Sequence, residues 1–160
     1  MNDADRAGQL RGGVPERLLL VVLPAGLLAA ADLTVKATVA TRMWDFHQRS
    51  GGWVALSVAL LVGALALTLV PSRAVAVGAG VMSGGVIGNL VSARVDGNKV
   101  PNPIMIGTYT NGIAFNLADI FILTGIVTLM ITLIVVTIDN RDRLIPPRRW
   151  QQALRRRLRS

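Results

Sequence analysis

Cysteine is absent from the 160 residues. That removes disulfides, thiolate metal sites and a cysteine nucleophile, and it leaves the redox compartment undetermined. Histidine is nearly absent as well, since His47 stands alone, which argues against a Ser-His-Asp triad or a histidine-rich zinc site. No metal and no cofactor is expected. Charge is scarce: 16% of residues are charged against 52% hydrophobic, with a mean hydropathy of +0.52. Polar tails and loops are too short for a soluble domain of useful size, so residues 1–160 read as one integral membrane domain.

What the chain does have is long apolar runs. Four are expected to cross a bilayer, at about 18–40, 53–70, 74–91 and 115–138. At 1.5 Å rise per residue each comes near the roughly 30 Å hydrocarbon thickness. The fold class is therefore all-α, a polytopic four-helix membrane bundle. The first run exceeds a typical signal-peptide core, contains Asp32 and Lys36, and is followed by further spans, so it reads as a retained helix. Pro24 is expected to kink that helix without ending it.

Basic residues set the expected orientation. Arg6, Arg11 and Arg17 precede the first span, and Arg141, Arg143, Arg148, Arg149, Arg155, Arg156, Arg157 and Arg159 follow the fourth. Cytoplasmic flanks carry the excess of Lys and Arg, so both termini are expected in the cytoplasm, with the longer loops at about 41–52 and 92–114 outside. The basic tail over 139–160 reads as a topology determinant and an amphipathic segment for anionic lipid. The net charge of +8 is largely explained by those tails, and no recognition module accompanies it, so nucleic acid is not expected as a partner.

Polar residues in the spans are few and patterned. Gly80, Gly84 and Gly88 repeat every four positions in the third span, a stripe that lets another backbone approach closely. Asn89 follows it near the outer end. Asp32 and Lys36 stand four apart on one helical face, with a bland reading as a self-neutralised ion pair. The sharper reading sets that pair beside the outer ends of the third and fourth spans, orienting a polar site. Asp119 opens the fourth span, where Asn116 can cap the helix and make Asp119 the acid of its first turn. An acid at a membrane edge is costly, about 2.5–3.5 kcal/mol at a helix centre and less near the interface, and usually has a role.

Three segments in order, Asp32-x-x-x-Lys36, Gly84-Gly85-Val86-Ile87-Gly88-Asn89-Leu90 and Phe115-Asn116-Leu117-Ala118-Asp119, resemble those of the lipoprotein signal peptidases (signal peptidase II), over about residues 32–138. The resemblance implies a four-helix aspartic peptidase of the bacterial inner (plasma) membrane, multi-pass with both termini inside. Such enzymes cut prolipoprotein signal peptides beside a lipid-modified cysteine, and Asp119 matches one catalytic position. The second acid is expected in a Val-Asp-Phe-like segment, where this chain reads Lys99-Val100-Pro101-Asn102-Pro103. The family's Asp-Arg pair after Gly-Asn-Leu-x is replaced by Ser92-Ala93, with Arg94 one step away. The Asn-x-Gly-x-Ala-Phe segment is not recognisable in 43–50.

Aspartic peptidase chemistry needs two carboxylates sharing a proton. Asp96, in the turn-like Asp96-Gly97-Asn98, and Asp32 are the substitutes weighed as partners for Asp119; Asp45 sits in an interfacial loop. The sequence thus reads as a signal-peptidase-II-like pseudoenzyme that binds a transmembrane helix, lipoprotein or lipid as partner or assembly subunit, with Asp32, Lys36, Asn89 and Asn116 as binding or support residues. The alternative is an active divergent peptidase using Asp119 with Asp96 or Asp32. A proton-linked transporter built on Asp32 lacks the internal repeat such folds carry. The 92–114 loop is left open, with Ile104-Met105-Ile106 either dipping into the interface or forming a short strand.

Overall fold

The third apolar stretch is built to be surrounded, because small residues fill it where the other three carry Leu, Val and Ile. The computed structural model describes residues 13–42, 45–108 and 111–141. Arg6, Arg11, Trp44, Tyr109 and the arginine-rich stretch from Arg143 onward lie outside the described residues. Four helices are long and apolar enough to cross a membrane: α1 (Val14–Thr38), α2 (Gly51–Ala66, prolonged by a 3₁₀ turn over Leu67–Leu69), α3 (Arg73–Val95) and α4 (Leu117–Asp139).

Their ends differ from the expected ones for local reasons. Gly13 caps α1 and a proline falls in its first turn, where a missing N–H costs nothing. Arg17 therefore lies inside the helix rather than before it, buried, with Nε donating to the Thr68 carbonyl at 2.7 Å. That carbonyl is near the C-terminal end of α2, where helical acceptors lack partners. The helix continues through Pro24. Ser72 caps α3, its side chain accepting from the Val75 amide, and α3 outlasts its apolar run by one turn.

Backbone approach fixes how the helices pack. A methyl group built on Gly80 would meet the Leu20 carbonyl at 2.7 Å, and one on Gly84 the Leu28 side chain at 2.8 Å. The stripe thus faces α1, and the pairing advances in step along both, so α1 and α3 run parallel. Gly85 instead faces the Ala118 carbonyl and Gly125 faces Met82, while Gly78 lies against Leu129. Those pairings run in opposite senses, so α4 is antiparallel to α3. In lipid such close approach replaces the missing hydrophobic drive between helices. α3 is the centre, with 67% of its apolar window buried. At one end Arg73 pairs with Glu16 at 2.5 Å; the site lies at the other.

At that second end the connections form two short antiparallel ladders, which the all-α reading did not include. β1 (Phe46–Gln48) pairs with β2 (Lys99–Pro101), and β3 (Ile104–Ile106) with β4 (Ile113–Phe115). Phe115 accordingly ends a strand instead of opening the fourth helix. Ile104-Met105-Ile106 is the strand of its two alternatives. The turn between α3 and β2 places Gly97 at φ +62° and Asn98 at φ +64°, the left-handed region that Gly and Asn tolerate, which agrees with Asp96-Gly97-Asn98 as a turn.

Candidate functional site

The N-terminus of α4 is the point on which the polar residues converge. Its first amides have no partners within the helix. Asn116 is the N-cap: its Oδ1 accepts from the Asp119 amide at 3.0 Å, and Asp119 Oδ2 accepts from the Asn116 amide at 3.2 Å, closing a capping box. The amide between them, on Ala118, donates to Asp32 Oδ1 at 2.9 Å across 86 residues of sequence. Two carboxylates thus lie at the positive end of one helix dipole, where negative charge is favoured.

Asp32 is fully buried and its second oxygen forms an ion pair with Lys36 Nζ at 2.7 Å. Gly88 makes the space: a Cβ there would come within 2.5 Å of that oxygen. Lys36 Nζ also donates to Asn89 Oδ1 at 2.8 Å, and Asn89 Nδ2 donates to Asp119 Oδ1 at 3.1 Å. A continuous chain results, from the Ala118 amide through Asp32, Lys36 and Asn89 to Asp119. The pairing of Asp32 with Lys36 is therefore structural and site-orienting at once. With one oxygen on a backbone amide and the other on an ammonium, Asp32 is not placed to activate water. Asp119 is only half-buried and keeps access from this end of the bundle.

Asn102 is the residue of the site whose role no motif in the sequence announces. It is buried, with Oδ1 accepting from Asn116 Nδ2 at 2.6 Å and Nδ2 donating to the Ala114 carbonyl at 3.2 Å. The same Nδ2 lies 3.1 Å from His47 Nδ1; as an amide nitrogen only donates, that ring nitrogen is the acceptor. Asn116 Nδ2 reaches the Pro101 carbonyl as well, at 3.3 Å. In the segment where the resemblance leads one to expect a second acid, a neutral amide ties β1, β4 and the cap of α4 together. The signal available in the sequence is an Asn set between two prolines, Pro101 and Pro103.

Asp96 stands elsewhere. It is exposed at the C-cap of α3 and makes no side-chain hydrogen bond with a described residue. It lines a cavity of about 580 Å³ with Lys36, Thr41, Phe46, Ser92 and Pro101, a size in the range of ligand sites. Lys36 is the link between this cavity and Asp119. Among the described residues no three His, Cys, Asp or Glu side chains group as metal ligands.

Four helices long and apolar enough to cross a membrane, three of them packed on glycine-rich α3, with an aspartate in the capping box of the fourth, define a small polytopic membrane protein. The family model described as Signal peptidase (SPase) II matches residues 36–135, and the chain belongs to that family. The match includes Lys36, Asn89, Asn116 and Asp119 and begins just past Asp32. Two similar solved structures are described as a bacterial membrane enzyme obtained by the in meso method, at 2.3 Å and 1.9 Å resolution. The first is 13% identical, with 78% of this chain and 90% of that chain covered and a TM-score of 0.55. The second is 19% identical, covering 69% and 90%, with a TM-score of 0.53. At such identities the likeness is one of fold. No curated protein matches.

Proposed function

We propose that this member of the signal peptidase II family receives a lipoprotein or another membrane-inserted segment at the outer end of its bundle and does not cut it. The observation that carries the reading is the company Asp119 keeps: the amides of Asn89 and Asn116 at its two oxygens, and a buried Asn102 where the second acid is expected. One proton shared between two carboxylates is what lets an aspartic centre both activate water and polarise the carbonyl. A carboxylate flanked by neutral amides can hold a ligand's N–H or position water, and among the described residues no second carboxyl is hydrogen-bonded to it. The cavity beside Lys36 supplies volume for a bound segment, and membrane lipid surrounds the exposed apolar faces. The protein is taken to reside in the bacterial inner membrane with both termini in the cytoplasm, as the arginine distribution favours.

The test is binding of a diacylglyceryl prolipoprotein peptide to the full chain in nanodiscs. The expected result is saturable binding with the peptide recovered intact, retained by Asp119→Asn. Absence of binding contradicts the receptor reading. Turnover that Asp119→Asn abolishes establishes the alternative, a divergent peptidase pairing Asp119 with Asp96 or Asp32.

A further inference from the structure

The β3–β4 ladder carries an apolar surface that neither the site nor the bundle uses. Residues directly opposite in an antiparallel pair present their side chains to the same face. The register pairs Ile104 with Phe115 and Ile106 with Ile113, and alternation sets all four on one side. Met105 and Ala114 occupy the other. That other side is turned to the protein: Met105 lies with Thr41, Asp45 and Pro103 around a small cleft. The isoleucine side is open, with Ile106 67% and Ile113 74% exposed, while Ile104 and Phe115, nearer α4, are half-buried.

We propose that this face rests in the outer interfacial layer of the bilayer, making the ladder a membrane-surface anchor for the site. The apolar surface joins that of α4 by direct chain continuity. Phe115 precedes the N-cap Asn116, and one turn later Ile120 begins the lipid-facing row that continues through Leu123 and Val127. The four side chains carry no polar group, as a lipid partner requires. Depth follows from the backbone. The sheet has only two strands, so apart from the Ala114 carbonyl, which accepts from Asn102, its edge N–H and C=O groups have no ladder partner, which the hydrocarbon region forbids and the hydrated headgroup layer allows. A two-stranded ribbon is marginal alone in water; this one has the cleft around Met105 on one face and lipid on the other. Its lipid contact would thus hold β4, and through it the cap that positions Asp119.

Because the chain has no cysteine, Ile106→Cys and Ile113→Cys give single nitroxide sites in the full chain. The protein is reconstituted in phosphatidylcholine–phosphatidylglycerol vesicles, with Asp96→Cys as the water reference and Leu123→Cys as the lipid reference. The expected result is a ratio of oxygen to nickel-chelate collision between the two references at both ladder positions. Ratios equal to that of Asp96→Cys overturn the proposal. So does shielding from both reagents, which indicates a protein partner or second copy on this face.

Discussion

Asp32 does more than neutralise Lys36: it supplies the acceptor for an amide at the start of a helix 86 residues away. Removing one partner of a buried ion pair leaves an uncompensated charge, at a cost of about 3–5 kcal/mol. Asp32→Ala is therefore expected to lower thermal stability in detergent strongly, and Asp32→Ala with Lys36→Met to recover part of the loss; equal melting of wild type and Asp32→Ala contradicts this. Asn102→Leu is expected to cost about 1–3 kcal/mol, because Asn116 Nδ2 loses its short hydrogen bond inside the protein, measured as a fall in melting temperature. Of these roles the sequence revealed the local ones. Asn116 and Asp119 are three residues apart, so their capping box follows from helix chemistry alone, and the i, i+4 spacing of Asp32 and Lys36 announces an ion pair. Asn102 depends on contacts with His47 and Asn116 across three separate segments, and no spacing rule reports such a meeting.

Among the elements, α3 decides the architecture. Its glycines were legible as a packing stripe by their period of four, yet which neighbour each face meets was not: Gly80, Gly84 and Gly88 lie on α1 while Gly85 lies on α4. Glycines that look alike in sequence thus carry opposite expectations in α3 and α2. Gly85→Ala drives a methyl into the Ala118 carbonyl and is expected to destabilise by about 1–3 kcal/mol. Gly63 in α2 has open space around it, so Gly63→Ala is expected to be neutral or to stabilise by about 0.4–1 kcal/mol. Thermal unfolding of the two variants side by side measures this, and a larger loss at Gly63 contradicts the packing. The β1–β2 and β3–β4 ladders escaped the sequence reading because three-residue strands give too few alternations to register as a period.

For the whole molecule, four helices alternating in direction put residues 13 and 141 at one end and the Asp119 site at the other. Arginine placement leads to the expectation that the first end faces the cytoplasm. In a chain without native cysteine, Ser160→Cys is expected to resist a membrane-impermeant maleimide in intact spheroplasts while Asp96→Cys reacts; the reverse pattern inverts the topology. The membrane class and the four spans were readable from composition and run length, because bilayer thickness fixes both. The chemistry at the Asp119 end was readable only as an inventory of acids, since a dyad is defined by distance. The most direct measurement is therefore mass spectrometry of a diacylglyceryl prolipoprotein incubated with the purified wild-type chain in lipid. The account predicts that the precursor mass persists unchanged. Appearance of a product beginning at the lipid-modified cysteine, absent with Asp119→Asn, contradicts it.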